Sequence, residues 1–236
     1  MKIKAILFDL DGTLLPLDQD AFTREYLMGL VRTAVAQGYE PNKIKDAILS
    51  STVATLNNES ERTNERVFWD TLASLVGEGI RSRTDMFDEF YRTEFQKIKE
   101  RVCGFEPRMK EIIELVRSKG LVAALATNPV FPMSAQLERL SWSGLCEKDF
   151  DLITSYENSH YCKPDPRYYF EICKKIDVNP KNAIMIGNDE REDMKGAFEA
   201  GLMGYLVTDC RIMAKDYYWK GQRGSFEQSL KILALI

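Results

Sequence analysis

Histidine is almost missing from this chain: among 236 residues only His160 is one. That count excludes any mechanism needing two imidazoles and any two-histidine zinc centre, so acid–base chemistry falls to carboxylates. His160 lies three residues before Lys163 and reads either as an ordinary loop residue or as a substrate contact. Cysteine is sparse too. Cys103, Cys146, Cys162, Cys173 and Cys210 form no C-x-x-C pair and are odd in number, which argues against a zinc ribbon and suits reduced thiols in a cytosol better than a disulfide frame. No apolar stretch approaches the roughly 18 residues of a membrane span. The N-terminal residues lead straight into a strand pattern with no signal-peptide core, so a cytoplasmic location is expected. Charge of one sign is also lacking. With 36 acidic against 32 basic residues the net charge is −4, which leaves no electrostatic footprint for nucleic acid or an anionic membrane and favours a small-molecule partner. No internal repeat or low-complexity segment is evident. Oligomeric state and substrate identity are not legible at this level.

What the chain does have is 44% hydrophobic residues, enough for one substantial core with a smaller unit inserted into it. The run Ile3, Ala5, Ile6, Leu7, Phe8 is apolar throughout, as a central parallel strand covered on both faces must be, and it stops at Asp9-Leu10-Asp11-Gly12-Thr13. Parallel sheets place ligands beyond the carboxyl ends of their strands. Two carboxylates this close repel unless a cation or a shared proton relieves them, and the spacing lets Mg²⁺ bridge one side chain and a nearby backbone carbonyl. Gly12 permits a sharp turn and Thr13 adds a hydroxyl.

After Thr13 the pattern turns helical for almost ninety residues. Phe22, Tyr26, Leu30 and Ala34 recur at helical spacing, with Asp18 or Asp20 as N-cap and Gly38 past the end. Pro41 opens a second helix through Ile44, Ile48 and Leu49, and Val67 to Val76 form a third that ends at Gly77. Met86, Phe87, Phe90, Tyr91, Phe95 and Ile98 form a fourth face, so a four-helix unit is expected. The polar run from Asn57 to Asn64 reads as a solvated connection or a substrate-facing one. From Pro107 helices and strands alternate: a helix to Lys119, a strand Leu121 to Ala126, a helix Met133 to Leu140, and a strand Phe150 to Ile153. A helix Arg167 to Lys175, a strand Ala183 to Ile186, a helix Met194 to Ala200, a strand Tyr205 to Val207 and a helix Phe226 to Leu235 follow. Such alternation predicts an α/β fold with a doubly wound parallel sheet. The pattern change places the α/β core at 1–16 and 103–236 and the inserted helices at 17–102, with hinges near Leu15 to Leu17 and Val102 to Glu106.

Four strand ends then offer polar groups that can converge on one rim: Asp9 and Asp11, then Thr127 and Asn128, then Lys163, then Asn188, Asp189 and Asp193. A phosphate there would be neutralised by Lys163 and a metal, and hydrogen-bonded by the Thr127 hydroxyl and turn amides. In that order, FDLDGTL, Thr127, Lys163-Pro164 and Gly187-Asn188-Asp189 with Asp193 resemble the four motifs of the haloacid dehalogenase-like (HAD) superfamily, and the helices between the first two resemble its smaller helical cap.

The resemblance implies a Rossmann-like core and a Mg²⁺-dependent phosphatase in which Asp9 is the nucleophile and Asp11 the general acid and base. It makes Asp9, Asp11, Thr127 and Lys163 catalytic. Gly12, Thr13, Thr127, Asn128 and Lys163 would hold the phosphoryl group of a small phosphorylated metabolite, and the metal would be held among Asp9, Asp11, Asn188, Asp189 and Asp193. Dehalogenases of the superfamily usually carry Tyr where this chain has Asp11. A leaving alkoxide needs a proton and a halide does not, so Asp11 favours phosphate chemistry. A phosphomutase and a non-catalytic binding module remain the alternatives. One position departs from the pattern. Asn188 stands where the family usually has Asp, leaving Asn188 or Asp189 as the direct ligand, with Asp193 acting through water or by orienting Lys163.

Overall fold

Ala5, Ile6, Leu7 and Phe8 have no exposed side, and a strand buried on both faces must lie inside a sheet. The computed structural model, which describes residues 2–104 and 108–235, places this strand, β1 (Ala5–Phe8), between β2 (Val122–Leu125) and β4 (Ala183–Gly187). With β3 (Leu152–Ile153), β5 (Met203–Val207) and β6 (Gln222–Gly224) they form one sheet in the order β3-β2-β1-β4-β5-β6, every pairing parallel. The strand order reverses at β1, so a crevice opens beyond its carboxyl end. Phe8 stands level with Leu125 and Ile186, which brings the three central strands to an end together.

Alternate residues divide the sheet into two faces. Ile6, Phe8, Leu125 and Ile186 join an apolar cluster with α6 (Arg108–Ser118), α7 (Met133–Trp142) and α10 (Phe226–Leu235). Leu7, Ala124, Met185 and Leu206 face the other way, against Tyr168, Tyr169 and Ile172 of α8 (Pro166–Lys175), Ala197 of α9 (Gly196–Glu199), and Met194. The start of the helix expected from Pro107, and the hinge limit at Glu106, lie outside the described residues. β6 escaped the sequence reading because its three residues, Gln222, Arg223 and Gly224, carry no apolar alternation.

Between β1 and β2 run α1 (Gln19–Ala36), α2 (Pro41–Leu56), α3 (Asn64–Val76), α4 (Thr84–Arg92) and α5 (Lys99–Val102). Asp18, not Asp20, caps α1 by accepting from the Ala21 amide at 2.9 Å. The segment leaves and returns through paired backbone: Leu17 bridges Cys103, and the Gly104 amide donates to the Pro16 carbonyl at 2.8 Å. The single helical face expected from Met86 to Ile98 is instead broken, so five helices replace four. α4 stops at Arg92, and the Phe95 amide reaches back to the Phe90 carbonyl, turning the Phe95 ring inward. Gln96–Ile98 then form a 3₁₀ turn leading into α5.

The cause of the break is an aromatic nest. Phe95 packs against Phe22, Tyr26, Phe90, Tyr91 and Trp142, with ring centroids 5.2–6.2 Å apart. Trp142 belongs to α7, so the nest joins the inserted helices to the sheet's own layer in one apolar cluster. No helix among the described residues is long and apolar enough to cross a membrane, and all five cysteines are free thiols. Removing the Phe95 ring would leave a cavity at that junction. Phe95→Ala is therefore expected to lower unfolding free energy by about 3–5 kcal/mol, read as a shift in the urea midpoint; a loss under about 1 kcal/mol would show that the nest does not hold the two parts together.

Candidate active site

Because β1, β2 and β4 end level, the residues following them share one rim. The Asp9 amide donates to the Ile186 carbonyl at 2.9 Å and the Ala126 amide to the Phe8 carbonyl at 2.7 Å, which fixes the loops as they leave the sheet. Asp9, buried, directs its Oδ1 at Lys163 Nζ, 2.7 Å away. The same ammonium donates to Asp193 Oδ1 at 2.6 Å, and Asp193 Oδ2 accepts the Asp189 amide at 2.9 Å. Burial alone would push the Lys163 ammonium down, but Asp193 and Asp9 overcome it and hold the group charged well above its ordinary range.

Two glycines make this packing possible. A Cβ on Gly187 would lie 2.2 Å from Asp193 Oδ2, so only glycine lets Asp193 fold back over the strand end. Gly12, at φ +80°, sits where a Cβ would come within 2.3 Å of Asn188 Nδ2, so only glycine allows the first loop to close on the fourth. Asn188 is held there from two sides: its Nδ2 donates to the Cys210 carbonyl at 2.7 Å, and its Oδ1 accepts the Thr13 hydroxyl at 3.2 Å. Asp189 caps the π-helical turn Glu190–Lys195, its Oδ1 accepting the amides of Arg191 and Glu192. The widened turn, with the Met194 amide on the Asp189 carbonyl, carries Asp193 round beneath Lys163.

Thr127 is buried, and its carbonyl is gripped by the Thr154 and Tyr168 hydroxyls at 2.7 and 2.9 Å. Asn128 donates to Glu192 Oε2 at 3.1 Å, while its Oδ1 is buried with no partner. Burial pushes the Glu192 carboxyl up to about 7, against the pull of Lys163. The structure therefore brings together Asp9, Lys163, Asp193 and Asp189, and separately Gly12, Thr13 and Asn188. His160 lies elsewhere in its bonding, with Nδ1 2.7 Å from Glu171 Oε1 on α8.

Sequence reasoning missed Arg139. This fully buried residue of α7 donates to Asp11 Oδ2 and to Gln136 Oε1, and its guanidinium stands 4.2 Å from the Phe131 ring centre. Burial raises the Asp11 carboxyl, Arg139 pulls it back, and Asp11 Oδ1 is left buried without a partner. Gln136 and Arg139 stand three apart on the buried stripe of α7, and a charged residue on that stripe was the available signal.

Among the described residues, no group of three or more His, Cys, Asp and Glu side chains is placed to hold a metal ion by itself. Asp193 uses both oxygens within the chain, Asp189 uses one as a cap, and the Asp11 side chain is taken by Arg139 on one oxygen. The donors left at the rim are hard oxygens: Asp9 Oδ2, the Asp11 carbonyl, which also accepts from Gln19 at 3.1 Å, Asn188 Oδ1, and Asp189 Oδ2, the oxygen not used in the cap. Five acidic side chains, those of Asp9, Asp11, Asp189, Glu192 and Asp193, crowd round Lys163 and Arg139; burial raises the last four, and a divalent cation would relieve their mutual repulsion. Donor type and charge both fit Mg²⁺.

The haloacid dehalogenase-like hydrolase family model matches residues 3–201. The chain belongs to that family. It is 25% identical over 203 residues to a phosphorylated carbohydrates phosphatase of Thermotoga maritima, covering 85% of this chain and 82% of that one. It is 30% identical over 143 residues to a phosphoserine phosphatase of Thermus thermophilus, covering 61% of this chain and 53% of that one. A HAD phosphatase of Thermococcus onnurineus has the same fold, with a TM-score of 0.62 at 18% identity over 98% of both chains. The family member described here is accordingly a hydrolase with a HAD-type core.

The ion triad makes a stability prediction. Removing Asp193 would leave Lys163 buried with one partner and free the Asp189 amide, so Asp193→Ala is expected to cost about 3–5 kcal/mol of unfolding free energy. Chemical denaturation of the two proteins measures it, and an unchanged midpoint would mean that Lys163 does not need its second carboxylate.

Proposed function

We propose that this hydrolase is a Mg²⁺-dependent phosphatase that cleaves small phosphate monoesters in the cytoplasm through an aspartyl-phosphate on Asp9. The observation that carries the reading is Asp9 at the end of the central strand, held at 2.7 Å by a buried ammonium, with a second carboxylate two residues on. Asp9 Oδ2, the oxygen Lys163 does not take, attacks phosphorus; the bond to the ester oxygen breaks, and that oxygen takes a proton from Asp11. Asp11 then removes a proton from water, which attacks the acyl phosphate and returns Asp9 and inorganic phosphate. Lys163 neutralises the phosphoryl oxygens, and the Thr127 hydroxyl, Asn128 and the amides around Gly12 and Thr13 hydrogen-bond them. The Asp11 carbonyl and Asn188 would hold Mg²⁺ beside Asp9, and the ion when bound offsets charge on the phosphoryl group. Asp193 acts by orienting Lys163, and Asp189 by capping the turn that carries Asp193.

The helices of residues 17–102 act as a cap over the core of residues 1–16 and 103–236, excluding bulk water. Support for this lies in Asn64, whose side chain donates to the Pro129 carbonyl at 3.1 Å and to Cys162 Sγ at 3.4 Å, each next to a site residue. The polar run before α3 thus rests on the core loops.

Asp9→Asn, nearly isosteric, should reduce phosphate release from a panel of phosphorylated metabolites by at least a thousandfold while the fold persists by circular dichroism. Substantial residual turnover would remove Asp9 as nucleophile. Chelation with EDTA should silence the wild-type protein and Mg²⁺ restore it, with Ca²⁺ a poor substitute because its looser coordination misplaces the attack. Full activity in chelator would overturn the metal requirement.

A further inference from the structure

A second space lies beyond the reacting carboxylates. A cavity of about 560 Å³ opens between α1–α4 and the loops after β2 and β3, a volume within the usual range of small-molecule sites. Phe131 connects it to the chemistry, since it lines the cavity and also carries the Arg139 guanidinium that holds Asp11. Aromatic rings supply much of the wall, among them Tyr26, Trp69, Tyr91 and Tyr156.

The charge of the lining is one-sided. Among the described residues Glu65, Asp88 and Glu157 border the cavity, and no Lys, Arg or His does. Glu157 spends both oxygens on the Met133 amide at the start of α7. Glu65 is partly buried, and burial together with Glu157 raises its carboxyl above the ordinary range. Among the described residues neither Glu65 nor Asp88 has a cationic partner within ion-pair distance. Rings with negative faces beside unpaired carboxylates attract a cation and repel an anion.

We propose that this cavity binds an organic cation, an ammonium on an aromatic or bulky apolar body, as the non-phosphoryl part of the ester. The assignment rests on the phosphatase reading above only for that last step. A leaving group bearing a second phosphate or a carboxylate would meet Glu65 and Asp88 with no basic residue to receive it. A cationic one would be paired there and stacked on the rings.

The test separates binding from chemistry. Titration calorimetry of the full chain with benzyltrimethylammonium, benzyl alcohol and phenylacetate, followed in parallel by tryptophan fluorescence, to which Trp69 in the cavity wall contributes, should give saturable binding of the cation at least tenfold tighter than of phenylacetate, with benzyl alcohol between. Glu65→Gln should cut that preference severalfold, and Asp88→Asn, on the exposed rim, supplies a second variant should the first fail to fold. Equal or tighter binding of phenylacetate, absence of saturable cation binding, or a preference unchanged in both variants overturns the proposal. Phosphate esters of cationic, neutral and anionic alcohols then test the link to hydrolysis. A chain that binds the cation yet releases phosphate from no ester overturns the phosphatase reading and keeps the cavity assignment.

Discussion

An ammonium placed out of reach of water must be paired, and Lys163 meets this requirement with two carboxylates from opposite ends of the chain, Asp9 and Asp193. Much of the local structure follows from it. Asp9 must stand at the end of a central strand to reach Nζ, and Asp193 must fold back over the end of β4, which Gly187 alone permits. The turn after β4 widens to bring Asp193 round, and Asp189 caps that turn while its own amide holds the second oxygen of Asp193. An ion pair this deep is a poor source of stability compared with an apolar substitute. Its value lies in a fixed positive charge beside a carboxylate whose other oxygen stays free.

Asp11 obeys a similar constraint on the opposite side. Arg139 reaches it from α7, set against the rings of both Phe22 and Phe131, and so ties the second carboxylate to the aromatic nest that also anchors the inserted helices. The two carboxylates of the first loop are thereby held by different parts of the molecule. Asp9 belongs to the sheet's interior and to the loops of β4 and α8. Asp11 belongs to the layer between sheet and helices, so a shift of those helices would reach Asp11 before Asp9.

The parallel sheet and its strand ends were legible because their signals are local: apolar runs stop at polar residues, and caps such as Asp18 and Gly38 mark helix ends. Asp9, Lys163 and Asp193 could be listed as convergent from strand order alone. What the sequence could not show depends on tertiary phase. Arg139 is marked in the sequence only as a charge on the apolar stripe of α7, and what it meets is fixed only once that helix is in place, while β6 has too few residues to show a period. The break after Arg92 contains neither glycine nor proline. It arises from where the Phe95 ring must go, and a helical pattern read residue by residue carries the apolar face straight through it.

Asn188 stands where the motif resemblance leads one to expect aspartate, and the packing around it gives a reason for an amide independent of any metal. Its Nδ2 donates to the Cys210 carbonyl while its Oδ1 receives the Thr13 hydroxyl, so the side chain must both give and accept a hydrogen bond. An ionised carboxylate can only accept. Aspartate here would set an anionic oxygen against the Cys210 carbonyl at the 2.7 Å now spanned by a hydrogen bond and would leave that carbonyl unpaired. The amide therefore joins the first loop to the loop after β5, and that loop is pinned in turn through Glu190, which accepts from Arg211 at 2.8 Å and from the amides of Ala214 and Trp219. A neutral oxygen at the rim is what remains once the same side chain also has to act as a donor.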